Sequence, residues 1–556
     1  MLSRVENVAI RFSFGMEAIS DALSRHEKPI ELTGSELTVE DVGVVARSRA
    51  RVRVSDDALQ RVHQARTVVE RVLARGTPVY GLNTGLGSLS RHQVPLEELE
   101  RFAFATVADQ TASYGQPLAT DIVRAMMVAR ANGMAKAGVG VRREVVCQLV
   151  ETLNAGVHPV VRRLGSVGQG DLSEMSDIGK VMIGRGYAEV GGRVLPGDQA
   201  LAAVGLEPIS PAPKEALALV SANGVTLGHG SLVLIDAADL TESFQIAAAL
   251  SLEGFAGNLS PIHPAAARMR PHAGEIKASG RLRELLDGSY LWEPGAARNL
   301  QDPLSFRCVP QTHGALNDAL SFARGEMDVE LNSASDNPLV VVEDEAIISV
   351  GNFDVLGLAI AFDLLRLGVA SALKVADERV QKLLWNAFSG LPTGLAPQDG
   401  PTGGLRPLGR WCAALAAEAR HLANPVSLAY GAQLAEGVED HASMAPLSVR
   451  KTSELVSLGH RMVAHELVCG AQAVDLRRCG PLGQGTRVAY ECVRECVPRL
   501  VDETEWEPDL ARLVDLIANG ELAARVAADA GQREPLDAHE GPAVADPEHG
   551  DGSPAQ

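Results

Sequence analysis

The chain has 556 residues, 46% of them apolar, and a formal charge of −19. That length admits several cores, or one core spread over an extended scaffold. The acidic balance argues against a phosphate-binding surface, which needs clustered Lys and Arg, so no nucleic-acid partner is expected. No unbroken apolar run of about 18 residues occurs, so no membrane-spanning helix is expected. The N-terminus lacks a charged start, apolar stretch and cleavage site in that order. A secretory signal is therefore not expected, and a cytoplasmic location is. Seven cysteines occur without a Cys-x-x-Cys pair. Cys492 and Cys496 lie one helical turn apart and read as buried reduced thiols rather than a metal or redox pair. No metal site is expected.

Residues 1–29 read as an extension, with Met16 a second candidate start. The body divides into a loop-rich N-terminal domain over 30–220 and a central helical-bundle domain over 221–526. The tail, 527–556, is rich in Asp, Glu, Gly, Pro and Ala and has almost no large apolar residues, so disorder is expected there. Within the body, glycine and proline cluster at 76–87, 165–170, 191–213, 293–303 and 390–409, which predicts loops. Apolar residues recur at spacings of three and four over 314–331 and 356–384, which predicts long helices. Residues 338–342 followed by 346–350 predict a small hairpin. The fold class is mainly α, a long-helix bundle with minor strands.

The first chemical motif is Tyr80-Gly81-Leu82-Asn83-Thr84-Gly85-Leu86-Gly87. Alone, it is a glycine-rich turn with a packing tyrosine; in company, it is a loop presenting a phenol. The company is extensive. Leu153-Asn154-Ala155-Gly156-Val157-His158-Pro159 comes next, then Gly165-Ser166-Val167-Gly168-Gln169-Gly170-Asp171-Leu172 and Pro213-Lys214-Glu215-Ala216-Leu217-Ala218-Leu219. Gln301-Asp302-Pro303-Leu304-Ser305-Phe306-Arg307 and Ser335-Asp336-Asn337-Pro338 follow. Gly351-Asn352-Phe353 and Glu439-Asp440-His441-Ala442-Ser443-Met444 complete the series.

In this order and spacing the set resembles the aromatic amino acid ammonia-lyase superfamily, the histidine and phenylalanine ammonia-lyase group, over residues 30–500. The resemblance implies a long-helix bundle and a homotetramer whose sites each draw on three subunits. It implies that Tyr80 is the catalytic base that removes the β-proton. Arg307 falls on the arginine that binds the substrate carboxylate, a task suited to a planar guanidinium fork. Asn337 and Phe353 fall on positions that support the amino group and the electrophile. Glu418 falls on the glutamate near the leaving group or substrate ring.

The departures concern the electrophile. Members of the family carry Ala-Ser-Gly here, which cyclises with loss of two waters to methylidene-imidazolone (MIO). In this chain Gln169 alone replaces Ala-Ser, between Gly168 and Gly170. Gln169 has no β-hydroxyl to eliminate, and Ser166 belongs to the constant Gly-Ser-Val part. The loop is expected to be ordinary backbone, with no MIO and no other cofactor. Leu304 replaces a tyrosine, Gln110 a histidine and Asp354 a histidine. Ser221 replaces an asparagine, unless a small shift uses Asn223.

Without an electrophile, the expected substrate carries its own leaving group. A trimethylammonium leaves as neutral trimethylamine, so an α-trimethylammonio aromatic acid such as ergothioneine or hercynine is expected, resembling the activity of ergothionase. Asp109, Asp354 or Glu418 would balance the cation, and Trp385 or Phe388 would face it. The alternatives are another Tyr80-based lyase or related enzyme of a biosynthetic pathway, and a non-catalytic paralogue. The expected partner is a small amino-acid-derived molecule, or, for the paralogue, alternatively an active lyase.

Overall fold

The computed structural model describes residues 28–109, 113–398, 403–478 and 480–531. Gln110, most of the expected extension and all but the start of the expected tail lie outside the described residues.

In the N-terminal part, short helices alternate with loops. Helix α1 (Asp56–Ala74) starts at Ser55, whose hydroxyl accepts the Ala58 amide and so satisfies one of the free N–H groups of the first turn. Helices α2 (Thr120–Ala135), α3 (Leu172–Met182) and α4 (Glu215–Val220) follow. The strands are short. Ile30–Leu32 runs parallel to Val52–Val54, and Tyr114–Pro117 pairs antiparallel with Arg162–Leu164. A three-stranded sheet joins His158–Pro159, Tyr187–Val190 and Arg193–Pro196.

The bundle is built round helix α5 (Gly224–Phe255), 32 residues long. Apolar residues lie on every side of it, so it is stable only when enclosed. Helix α2 packs on it, as do three later helices: α7 (Val309–Leu331), α8 (Leu356–Leu384) and α10 (Ala445–Arg477). Between these come the one-turn helix α6 (Leu304–Arg307) and helix α9 (Arg406–Leu422). One apolar core runs from Leu32 to Val526.

The predicted helix 356–384 and the hairpin, Leu339–Val341 with Ala346–Ile348, form as expected. The helix expected at 314–331 begins earlier, at Val309; Pro310 sits in its first turn, where a missing N–H costs nothing. The cluster 191–213 is not all loop. Gly191 and Gly192, at φ +57° and +77°, turn a hairpin, and Pro196 leads into helix Gly197–Ala202. The cluster 390–409 ends inside α9, again with proline in the first turn. The last helix among the described residues, Glu521–Gly531, runs into the segment expected to lack order. Cys492 and Cys496 are buried and free, and burial pushes both thiols up.

The membrane expectation needs correction on one point. Glu215–Phe255 and Leu356–Leu384 are long and apolar enough to cross a membrane, because scattered polar residues interrupt the runs without lowering the mean hydropathy much. The first is core, with 89% of its most apolar window buried, and the second has 56% of its window buried.

Two buried polar contacts hold the bundle in register. Arg379 on α8 and Glu466 on α10 are fully buried, with Nη2 and Oε2 2.9 Å apart and Ser251 donating to the same carboxylate at 3.0 Å. Glu466→Gln strands a buried guanidinium and should lower stability by about 3–5 kcal/mol in urea unfolding. Asp171, at the start of α3, accepts the Thr226 amide at 3.0 Å and the Thr226 hydroxyl at 3.2 Å, joining α3 to the first turn of α5. Burial, then the charge of Glu174, pushes the Asp171 carboxyl up from 3.8 to about 7. A carboxyl raised on folding favours the native state while protonated. Its contribution is full below the unfolded value and is lost as pH rises through the folded one. Urea midpoints should therefore fall between pH 3.8 and about 7, and Asp171→Asn should flatten that slope.

Candidate active site

Tyr80 sits in a turn closed by its own neighbours. The Asn83 side chain accepts the Val79 amide at 2.7 Å and donates to the Thr77 carbonyl at 3.0 Å. Gly81 has φ +63°, and a Cβ there would stand 2.8 Å from Leu217. The phenol oxygen of Tyr80 accepts the Gly87 N–H at 3.0 Å. Gly87 in turn lies against Ala435, whose Cβ is 3.3 Å from where a Gly87 Cβ would be. From there the chain closes a Leu434–Glu439 bridge and leads to His441.

The loop 168–170 meets that same segment. The Gly168 carbonyl accepts the Ser443 hydroxyl at 2.8 Å, and the Val167 carbonyl accepts the Met444 amide at 2.9 Å. The Gln169 side-chain amide donates to the His441 carbonyl, and its backbone bridges to Asp354. The Gly170 carbonyl accepts the Ala222 amide at 2.8 Å, while its own N–H donates to Asn223 Oδ1 at 3.1 Å. Gly168 has φ +84°, and a Cβ on it would collide with Ser443 and stand 2.9 Å from the Ala445 nitrogen. Ser166, the serine nearest the loop on its N-terminal side, gives its hydroxyl to Glu174. Nothing from 168 to 170 carries a β-hydroxyl. The residues present lack what the MIO cyclisation requires.

Of the two positions that could match the family's asparagine, Asn223 is the one that links the loop to its neighbour. Its Nδ2 donates to the Phe353 carbonyl at 3.1 Å, tying the loop to Gly351-Asn352-Phe353. Ser221 presses its hydroxyl against Gly170, 2.7 Å from where a Cβ would stand. Asn337 spends its side-chain oxygen on the Val350 amide at 2.9 Å. The sequence missed one pair altogether. Asp354 Oδ2 and His441 Nε2 are 2.8 Å apart, both partly exposed. The signal was there: Asp354 is a departure, and His441 ends an acidic motif.

Leu304, Arg307 and Phe388 lie elsewhere. Phe306 stacks on Phe255, the last residue of α5, with ring centroids 4.1 Å apart, whereas Asn223 caps the first. At 1.5 Å per residue, α5 separates the two ends by about 48 Å. Arg307 donates to Gln301 at 2.6 Å, and Leu304 is exposed. The Trp385 and Phe388 rings face a cation of this chain, Lys382, whose Nζ is 5.5 and 5.0 Å from their centroids. Glu418 is apart from both groups, in a cavity of about 670 Å³ lined by Trp411, Leu415, Arg461, His465 and Leu510. Within one chain, then, Tyr80, Ser221, Asn337, Phe353 and the Gln169 loop come together, while Arg307, Leu304, Phe388 and Glu418 do not join them.

The aromatic amino acid lyase family profile matches residues 37–495. A histidine ammonia-lyase of Symbiobacterium thermophilum is 37% identical over 503 residues, covering 90% of this chain and 99% of that protein. A histidine ammonia-lyase of Alkaliphilus oremlandii is 35% identical over 500 residues, covering 90% and 98%. Among solved structures, the ergothioneine-degrading ergothionase of Treponema denticola has a TM-score of 0.84 at 30% identity, covering 90% of this chain and 99% of that one.

These relatives overturn the expectation of trimethylamine elimination from ergothioneine or hercynine. Curated proteins 33–37% identical over most of the chain are histidine ammonia-lyases, and ergothionase is met as a structural neighbour. The error has a physical source: a loop unable to cyclise says nothing about the substituents on a substrate's nitrogen. The helical fold, the motif order and these matches agree, and the chain belongs to the aromatic amino acid lyase family of carbon–nitrogen lyases.

Proposed function

We propose that this protein releases ammonia from histidine or a closely similar aromatic amino acid, with Tyr80 as base and without MIO. The observation that carries the reading is the Tyr80 oxygen, held by the Gly87 amide at 3.0 Å on a turn that abuts the segment fastened to the Gln169 loop. As phenolate, Tyr80 takes the β-proton. The electrons of that C–H bond form the double bond, and the C–N bond breaks with its pair on nitrogen. The amino group, given one proton as it leaves, departs as neutral ammonia.

The carboxylate of the substrate is bound by Arg307. Because Arg307 lies about 48 Å along α5 from the Tyr80 corner, it is supplied by another copy of the chain. We therefore read the working form as a homotetramer with shared sites, in the cytoplasm. Exposed apolar residues on α7 and α8, among them Phe322, Ile360, Leu364 and Leu367, support such an assembly. Glu418 would reach a site by the same route.

Ammonia release from L-histidine should be measurable in the wild type and abolished by Tyr80→Phe, which keeps the ring and removes only the oxygen. Arg307→Ala should also be inactive, yet co-expression of the two variants should recover part of the activity in mixed oligomers. No recovery would show that both residues serve from one chain. The intact mass should equal that of the encoded chain. A deficit of two waters mapped to residues 168–170 would disprove the absence of MIO.

A further inference from the structure

The segment that holds the Gln169 loop carries a titratable pair that the elimination, as described, leaves unused. We propose that His441, oriented by Asp354, is the acid that delivers a proton to the departing nitrogen. This rests on the lyase reading above and names a second catalytic residue within it.

The geometry is that of an imidazole steered by a carboxylate. Asp354 Oδ2 lies 2.8 Å from His441 Nε2, so that nitrogen donates to the carboxylate and the ring is held in one orientation. Nδ1 has no partner among the described residues, and the side chain is 51% exposed. Both members of the pair stand on the loop itself. The Gln169 amide donates to the His441 carbonyl, and the Gln169 backbone bridges to Asp354. The same segment reaches Tyr80 through Ala435 and Gly87, whose N–H is on the phenol oxygen. One short segment, 435–441, thus joins the turn that carries the base to the residue that carries the acid.

The step balances. The β-proton passes to the Tyr80 oxygen, and the C–H pair becomes the double bond. The C–N bond breaks with its pair on nitrogen, and imidazolium Nδ1 gives that nitrogen a proton, so an –NH2 group leaves as NH3. Proton return from the Tyr80 phenol to the His441 imidazole, directly or through water, resets both groups. The Asp354 carboxylate offsets the imidazolium charge and acts as a positioning residue.

The test uses the full-length protein and follows ammonia release from L-histidine and other aromatic amino acids. His441→Ala keeps the backbone carbonyl that fastens the loop. It should lose about 100-fold or more in kcat, the usual worth of a general acid, with little change in KM. Added imidazole should restore rate in proportion to its concentration. Asp354→Asn should lower kcat less and gain nothing from imidazole. An unchanged kcat in either variant overturns the proposal and leaves the lyase reading intact. So does a His441→Ala loss that imidazole fails to rescue while circular dichroism and oligomer size match the wild type. A wild type that releases no ammonia from any of these amino acids overturns both.

Discussion

Helix α5 has no side that water can satisfy. From Gly224 to Phe255 no position is exposed, and such a helix survives only with neighbours on every flank. Helices α2, α7, α8 and α10 provide them. The enclosure turns the two ends of α5 into fixed points. At one end Asn223 reaches both Gly170 and Phe353. At the other, Phe306 stacks on Phe255 and so places Arg307. The length of a single core helix thereby decides which functional groups one chain can bring together.

Polar groups inside the bundle do a second job, setting register where apolar packing alone would allow slippage. Arg379 and Glu466 align α8 with α10. Arg130 on α2 does the same nearer the site. Its guanidinium donates to Asp336 at 2.9 and 3.0 Å and to the Ala218 carbonyl on α4 at 3.1 Å. Asp336 precedes Asn337, so this buried pair fixes the stretch whose side chain captures Val350. Such pairs add little net energy against apolar replacements, but their geometry is demanding, and demanding geometry suits a site.

The fold was legible because periodicity and punctuation are local. Helix α8 and the hairpin after Pro338 could be read directly, and the Gly-Gln-Gly loop announced its missing hydroxyl. What failed to show was distant or shared. Asp354 and His441 are 87 positions apart; each stood out singly, one as a departure and one within a motif, but their pairing did not. The gap between Tyr80 and Arg307 depends on the course of α5, which a list of motifs does not contain. Glu418, chosen by resemblance, sits on α9 beside Trp411 and His465, whereas Glu439-Asp440-His441 approaches the loop. The substrate was misjudged because the loop constrains the electrophile and leaves the amine open.

Residues 168–170 are secured by hydrogen bonds to Ser443, His441, Ala222 and Asn223. Each of these partners is in place as soon as the helices dock. A site finished by cyclisation is made once, on a schedule set by chemistry after folding. On the proposed reading, a site finished by hydrogen bonds would need no maturation step. It would open when the chain opens and be whole again when the chain closes, so that in this loop folding and readiness would be the same event.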